Sequence, residues 1–470
     1  MKLKAPAFEI PSDDPFKNDL LSRKQSAEAL TQLIRSADEP LVLCINAAWG
    51  EGKSTFLAMW RQMLNNENFK TLYFSAWEND FSDDAVVSLI GELELGIEAL
   101  SLDKQQASAA KAGLKKAKKF GAALIRRGIP TAVKMATAGV VDLDEISEKA
   151  LADYGEKVAE EQIKQYEASK KSVAGFKEQL SEFAKVTASK DEEALRPLVI
   201  IIDELDRCRP TYAIKILEAV KHFFSVPNVA FVLAVDREQL GHSIRSMYGV
   251  GMDVSGYLRR FIDIDYHLPL PDKGAFCRAQ FARFGLIDLF KSRNIRGNEY
   301  DRTNFEEIFS ELFAALGFSL REQERCFTLL SLALRITPND YRLFPHLLSP
   351  LIILKTKNPV LYREFVCGHK DHHDVLRYIS STPLGRNFLY SHLGAVVEAF
   401  LVGCRFGRHA LDVDVLEPYK KIWEDTSASA AERERAERIL KFLGSHEFND
   451  AFGTLNYALS KIDLVTNFRQ

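Results

Sequence analysis

Residues 41–60 read LVLCINAAWGEGKSTFLAMW, and this stretch decides the fold. The apolar run at residues 41–45 is typical of a parallel strand that is buried on both faces. A short loop follows and ends in Gly-Lys-Ser-Thr at residues 52–55, after which apolar residues recur at helical spacing. A strand, a glycine-containing loop and a helix in this order predict a phosphate-binding loop.

The residue types in this loop match what phosphate binding requires. Lys53 would bring a positive charge to the outer phosphates, and the Ser54 hydroxyl would face Mg²⁺. Ala47 stands where the pattern has its first glycine, and a chance Gly-Lys-Ser in a strand–helix turn is the alternative interpretation. The residues that would surround the phosphates with their backbone N–H groups are Trp49, Gly50, Glu51, Gly52, Lys53, Ser54 and Thr55.

A second apolar run, residues 198–202, is followed directly by Asp203 and Glu204. Five consecutive apolar residues again predict a strand that is buried on both faces. In the hhhhDE pattern of P-loop ATPases, Asp203 would order the Mg²⁺ shell and Glu204 would polarise the attacking water. Two acids in a turn are common by themselves, but together with the Lys53 loop they indicate nucleotide chemistry.

Polar side chains also follow two other predicted strands. Residues 229–235 predict a buried strand, and Asp236 at its carboxyl end would sense the γ-phosphate. An earlier strand ends near Trp77, Glu78 and Asp80, which would lie close to the same edge of the sheet. We expect Trp77 to fill the core, because large aromatic side chains mostly pack.

Composition sets limits on the class of protein. The chain has 470 residues, a net charge of −3 and 46% hydrophobic residues, which is ordinary for a soluble globular protein. Six scattered cysteines favour a reduced, cytoplasmic compartment over a disulfide framework. The N-terminus lacks the apolar stretch of a secretory signal, and no run of 18 apolar residues predicts a membrane-spanning helix.

One local stretch departs from this neutral balance. From Lys104 to Val141 the chain carries nine basic residues and no acidic residue. A solvated helix face is one interpretation, and a surface for anionic lipid or nucleic acid is the other. The second interpretation would make the protein a peripheral membrane protein or a nucleic-acid-binding protein.

Five motifs in one order resemble the KAP family of P-loop NTPases: INAAWGEGKST, FSAWEND, VIIIDELDRCRP, VPNVAFVLAVDREQL and YLRRFIDIDYHLPLP. The resemblance implies an α/β fold, with the parallel sheet of an ASCE/AAA-like P-loop NTPase and with ATP and Mg²⁺ as cofactors. We place the NTPase core at residues 1–81 and 191–275, and a helical insertion at 82–190. Residues 276–470 would form a helical lid and an α-helical C-terminal domain.

The resemblance also implies a function. Bacterial KAP proteins often belong to phage-exclusion and antiphage systems, and many members carry transmembrane helices in the insertion, where none is predicted here. We therefore expect a cytoplasmic ATPase that acts as a nucleotide-driven switch in a homo-oligomer, together with an effector or sensor protein. The alternatives are a nucleic-acid-remodelling AAA-like motor and a nucleotide-binding scaffold that does not hydrolyse.

Two adjacent arginines, Arg259 and Arg260, precede the last predicted core strand. In AAA+-like ATPases, which this part of the chain resembles, that position faces the γ-phosphate of a neighbouring subunit. One of the two arginines would then be catalytic across a subunit boundary. The alternative is that one pairs with Asp263 or Asp265 and the other is solvated.

Overall fold

The computed structural model describes residues 8–82, parts of 88–96 and 177–185, 190–191, 194–221, 225–293, 297–405, 413–444 and 454–463. The chain divides into two compact units. The N-terminal unit consists of Ile10–Asp19 and Arg23–Pro269. The C-terminal unit consists of Met1–Glu9, Leu20–Ser22 and Leu270–Gln470. The basic stretch at residues 104–141 lies outside the described residues.

A five-stranded parallel sheet is the centre of the N-terminal unit, and its strands come from apolar, β-branched runs. The strands of the chain are β1 (Leu41–Asn46), β2 (Thr71–Ser75), β3 (Lys190–Asp191), β4 (Ala194–Leu195), β5 (Leu198–Asp203), β6 (Val229–Val235) and β7 (Ile264–His267). The sheet order is β2-β5-β6-β1-β7, and β3 and β4 form a separate antiparallel pair. The strand β6 therefore separates the strand before the phosphate loop from the strand that ends in Asp203, as in the predicted ASCE arrangement.

Helices accompany this sheet, and its central strands β1, β5 and β6 are buried along almost their whole length, as is usual for parallel strands. The described helices of this unit are α1 (Lys24–Arg35), α2 (Lys53–Asn66), α3 (Pro210–Lys221), α4 (Arg237–Tyr248) and α5 (Val254–Leu258). A short 3₁₀ turn, Leu205–Arg207, follows β5. The helices α1 and α2 are joined by a buried hydrogen bond of 2.9 Å, which the Trp60 indole of α2 donates to the Thr31 hydroxyl of α1.

The register of the sheet brings the functional segments to one edge. Asp203 is opposite Ser75 on one side and Ala234 on the other, and Asn46 is opposite Val235. All four parallel pairs run in the same direction, so the carboxyl ends of β1, β2, β5 and β6 lie together. Ligands of open α/β sheets bind at this edge.

The C-terminal unit is helical throughout its described secondary structure, as the sequence predicts. Its helices are α6 (Lys273–Arg283), α7 (Leu286–Lys291), α8 (Asn298–Ala315), α9 (Leu320–Ile336), α10 (Pro345–Lys357), α11 (Pro359–Val366), α12 (His372–Ile379), α13 (Pro383–Tyr390), α14 (His392–Gly403), α15 (Val413–Glu424), α16 (Ala430–Gly444) and α17 (Leu455–Ile462). Stacked and edge-on phenylalanines fill its core, among them Phe281, Phe309, Phe313 and Phe327. Among the helices that the structure describes, none combines the length and the apolar character that crossing a membrane requires.

Candidate functional site

The loop between β1 and α2 has the backbone conformation that its glycines predict. Gly50 and Gly52 have φ angles of 82° and 76°, left-handed values that residues with a Cβ adopt only at a cost. Gly52 is the N-cap of α2 and offers no side chain, so the first N–H groups of this helix remain available to an anion. Ala47 does not have a positive φ, so a methyl group in place of the missing glycine causes no backbone strain.

Lys53 is buried at the start of α2, and its Nζ donates a hydrogen bond of 2.7 Å to the Ala47 carbonyl oxygen. Burial lowers the pKa of this ammonium group, and the carboxylates of Asp206, Asp203 and Asp236 act in the opposite direction. Lys53 is thus a buried cation inside a ring of acidic groups. Its current acceptor, a neutral carbonyl, is weaker than a phosphate oxygen would be.

The two predicted metal ligands, Ser54 and Asp203, are brought together. Asp203 is fully buried; its Oδ2 accepts a 3.0 Å hydrogen bond from the Tyr73 hydroxyl, and its Oδ1 accepts one of 2.8 Å from the Glu204 N–H. Burial raises the pKa of Asp203, whereas the hydrogen bonds from Ser54, Tyr73 and Glu204 lower it. The hydroxyl and the carboxylate therefore lie within hydrogen-bond reach of each other, which is the arrangement that one Mg²⁺ would use.

Glu204 is held in an unusual conformation. Its φ of 63° and ψ of 22° are left-handed values, which cost a residue with a Cβ of order 1 kcal/mol or more. Its Oε1 accepts a hydrogen bond from Arg207, and its Oε2 accepts one of 3.1 Å from the Ser75 hydroxyl. Both carboxylate oxygens of the predicted general base therefore have partners, and the turn after β5 is strained where strain is often functional.

The expectation that Trp77 fills the core is wrong. Its side chain is 54% exposed in the turn that follows β2, and the Arg207 guanidinium lies 5.9 Å from the centre of its ring. The turn places the ring outside the sheet, where it can stack on a cation rather than on aliphatic side chains. Trp77 thus supports the arginine that holds Glu204.

Asp236 contacts the phosphate loop. Its Oδ1 caps α4 by accepting hydrogen bonds from the N–H groups of Glu238 (3.1 Å) and Gln239 (3.3 Å). Its Oδ2 accepts a hydrogen bond of 3.1 Å from the Trp49 N–H. The residue that the sequence predicts as a γ-phosphate sensor thus connects the end of β6 to the loop, with both carboxylate oxygens engaged.

Asp206 belongs to the same site, although the sequence motifs predict no role for it. It is 5% exposed, and its Oδ2 accepts a hydrogen bond from the Trp49 indole N–H. It lies in the 3₁₀ turn Leu205–Arg207 that follows Asp203, and its charge acts on the ammonium group of Lys53. A third acid after an hhhhDE strand was the only signal available in the sequence.

The structure does not join Arg259 and Arg260 to the phosphate loop. Both side chains are exposed after α5, and neither forms a hydrogen bond or an ion pair with another described residue. Arg259 lines a cleft of about 340 Å³ with Asp263 and Asp265. The expected alternative pairing is absent from the described contacts.

The two aspartates of that cleft have other partners. Asp263 Oδ2 accepts a hydrogen bond of 2.8 Å from the Val42 N–H, and Asp265 forms an ion pair with Arg237. One oxygen of each carboxylate is therefore engaged by a partner other than Arg259 or Arg260, while Asp265 Oδ1 is buried and has no hydrogen-bond partner among the described residues. Arg259 and Arg260 are therefore exposed side chains that form no ion pair with a described residue.

These observations define a class of protein. A parallel sheet with one strand inserted between β1 and β5, a left-handed glycine loop, a buried lysine and a Ser54–Asp203 pair are together the features of a P-loop NTPase domain. Residues 23–293 match the family model of the KAP family P-loop domain, which is more than half of the chain. The chain therefore belongs to the KAP family, and nucleotide binding follows from this membership.

A shorter similarity links the chain to the phage T7 exclusion protein of Escherichia coli K12. The two sequences are 26% identical over 74 residues, which is 16% of this chain and 10% of that protein. The chain thus matches about a tenth of the length of this curated relative.

Proposed function

We propose that the protein binds ATP with Mg²⁺ and hydrolyses it. The observation that carries this proposal is the meeting of Lys53, Ser54 and Asp203 beside a loop with left-handed glycines. Bound Mg²⁺ would neutralise charge that develops on the phosphates, and Ser54 and Asp203 are the residues that would hold it. The buried carboxylate, which is costly in the absence of a cation, fits that role.

Lys53 and the loop would bind the phosphates. The ammonium group would exchange the Ala47 carbonyl for a phosphate oxygen, which turns a neutral acceptor into a charged one and strengthens the hydrogen bond. The free N–H groups at the start of α2 would add further donors. Binding therefore needs a change of one hydrogen bond rather than a rearrangement of the fold.

Glu204 would act as the general base for water. Each of its oxygens already accepts one hydrogen bond, so water would either use a second lone pair or replace a present partner. The Ser75 hydroxyl is a neutral donor and Arg207 is a charged one, so the bond to Ser75 costs less to replace. Arg207 would meanwhile keep the carboxylate oriented towards the γ-phosphate edge.

The nucleotide cycle would act as a switch in an assembly of several chains, and we infer that this assembly serves antiphage defence. The support is the family and the partial similarity to a phage exclusion protein. A second copy of the chain and an effector or sensor protein are the proposed partners. Anionic lipid or nucleic acid at residues 104–141 is a further proposal, for which the support is the charge of the sequence.

The first experiment separates binding from hydrolysis. Lys53→Ala should weaken the binding of a fluorescent ATP analogue at least about a hundredfold, because a charged hydrogen bond to phosphate is lost. Glu204→Gln should bind ATP with nearly unchanged affinity and release phosphate about 10²–10⁴ times more slowly. Exposed residues on α1 provide the matched controls Lys24→Ala and Glu28→Gln, which should behave like the wild type.

The outcomes distinguish three functions. Full phosphate release by Glu204→Gln would remove the general-base assignment. Tight ATP binding by the wild type without phosphate release would favour the scaffold. Turnover that rises strongly with added DNA or RNA would favour the remodelling motor.

A further inference from the structure

Asp206 combines burial with an incomplete set of partners. Its Oδ2 accepts the Trp49 indole N–H, but its Oδ1 is buried and has no hydrogen-bond partner among the described residues. A buried carboxylate oxygen without a donor is costly, so such an atom marks a place where a donor can arrive. In this site the neighbouring cation is Lys53, whose ammonium group is stabilised by the Asp206 charge.

Trp49 ties the phosphate loop to two different strands. Its main-chain N–H donates to Asp236 after β6, and its indole N–H donates to Asp206 after β5. The ring is 45% exposed, so apolar packing secures it only in part. The loop conformation at this residue therefore depends on its two carboxylate acceptors.

We propose that Asp206 is a positioning residue of the nucleotide site, an inference that rests on the proposed function. Through the Trp49 indole it holds the phosphate loop in the conformation that receives phosphate. Its second oxygen, Oδ1, accepts a hydrogen bond from a water molecule of the Mg²⁺ shell. Asp206 thus acts on binding and on the metal requirement, whereas Glu204 acts on the chemical step.

This division of roles agrees with the different surroundings of the two carboxylates. Glu204 accepts a hydrogen bond from the charged Arg207 on one oxygen and from the Ser75 hydroxyl on the other. Its own backbone is in the strained, left-handed conformation. Asp206 has one donor from the phosphate loop itself and one open position. A group that is bonded to the loop before nucleotide arrives is suited to preorganise it.

The experiment measures the affinity for a non-hydrolysable ATP analogue in Trp49→Phe, Asp206→Ala and the double variant. Trp49→Phe should weaken binding about tenfold, as expected for one hydrogen bond to a charged group, and Asp206→Ala at least as much, because it also removes the Oδ1 contact. The double variant should be no weaker than Asp206→Ala, because both changes remove the same contact. Trp423→Phe, at a similarly half-exposed tryptophan of the C-terminal unit, is the control and should bind like the wild type.

A second readout concerns Mg²⁺. Asp206→Ala should raise the Mg²⁺ concentration that is needed for half-maximal analogue binding, and Trp49→Phe should leave it unchanged. Asp206→Asn, which keeps the shape and one acceptor oxygen, should recover part of the lost affinity, and it carries the test if Asp206→Ala does not fold. Thermal melting without nucleotide identifies any variant that is merely misfolded.

Additive losses in the double variant, or wild-type affinity in Trp49→Phe, would overturn the positioning role while leaving the proposed function intact. An equal Mg²⁺ requirement in all variants would overturn the role of Oδ1. Absence of nucleotide binding by the wild type would instead reject the proposed function, and this inference with it.

Discussion

Buried charged side chains that we compare between the two units differ in how completely hydrogen bonds and ion pairs satisfy them. In the N-terminal unit, three carboxylates lie around Lys53, Asp206 has an unpartnered oxygen, and Glu204 has a left-handed backbone. In the C-terminal unit, Arg293 and Glu398 are as deeply buried but have several partners each. The cost of burying Arg293 and Glu398 is thus met by several partners each, whereas one oxygen of Asp206 has no hydrogen-bond partner among the described residues.

Arg293 illustrates complete partnering. Its Nη1 donates hydrogen bonds of 3.2 Å to the carbonyl oxygens of Leu334 and Thr337, and its Nη2 donates to those of Pro338 and Tyr341. Four carbonyl groups at the end of α9 and in the following loop are satisfied by one side chain. Such a guanidinium has a structural role, since both of its Nη atoms donate to carbonyl oxygens of the protein.

Glu398 on α14 is similar. Its carboxylate accepts a hydrogen bond of 2.9 Å from the Tyr419 hydroxyl and forms an ion pair with Arg435. These two contacts join the helices α14, α15 and α16. The difference from the N-terminal unit suggests a rule for this chain. Charges with several partners, such as Arg293 and Glu398, hold elements together, and we expect charges of the N-terminal unit that lack partners to mark positions where a ligand or another chain completes the set.

The strongest test of this rule concerns the exposed pair Arg259 and Arg260. If one of them completes the site of a neighbouring copy, its loss should lower turnover about 10³-fold or more, because a guanidinium stabilises the charge of the transition state. Mixing Lys53→Ala with Arg260→Ala, and then with Arg259→Ala, should restore activity, since some interfaces pair an intact loop with an intact arginine. Phosphate release per chain should also rise with protein concentration.

Two results would contradict the trans role. One is that the mixtures stay inactive while light scattering shows that each variant still assembles. The other is full activity in both arginine variants. Either result would leave Arg259 and Arg260 as solvated charges and would limit the rule to buried groups.

The next effect in size is on stability. Arg293→Met removes the donor for four carbonyl groups and should destabilise the C-terminal unit by about 3 kcal/mol, which corresponds to roughly 10 °C in its melting temperature. Circular dichroism melting measures this loss, and ATP affinity measured below the transition should not change. Arg321→Met, at an exposed arginine of α9, is the matched control and should melt like the wild type. A nucleotide-affinity change without a stability change would contradict the structural role.

The sequence predicted most of the fold because its signals are local. The apolar run before the phosphate loop, the strand that ends in Asp203 and the strand of residues 229–235 are each recognised from consecutive residues, and the family's motif order supplies their arrangement. The contacts of Asp206 with Trp49 and of Glu204 with Arg207 and Ser75 were not predicted. They depend on how the 3₁₀ turn after β5 folds back on the loop and on β2, which apolar periodicity does not encode.

The smallest predicted effect has opposite signs for stability and function. Burial raises the pKa of Asp203, so its charged form costs stability in the absence of a cation. Asp203→Asn removes this charge and keeps the shape, and it should stabilise the nucleotide-free protein by about 0.5–2 kcal/mol while abolishing the additional stabilisation by Mg²⁺ and ATP.

The direction of the pKa shift of Asp203 predicts how the stability difference between Asp203→Asn and the wild type depends on pH. A carboxyl group whose folded-state pKa is raised costs stability fully above that raised value, and the cost disappears as the pH falls towards the ordinary value of 3.8. The melting-temperature advantage of Asp203→Asn should therefore be largest at pH 7–8 and should shrink as the pH is lowered. Asp253→Asn serves as the control because Asp253 is an exposed N-cap of α5. A nucleotide-free Asp203→Asn protein that melts below the wild type at pH 8 would mean that the hydrogen bonds from Tyr73, Ser54 and Glu204 outweigh the burial of the charge. Asp203 would then resemble the fully partnered charges of the C-terminal unit.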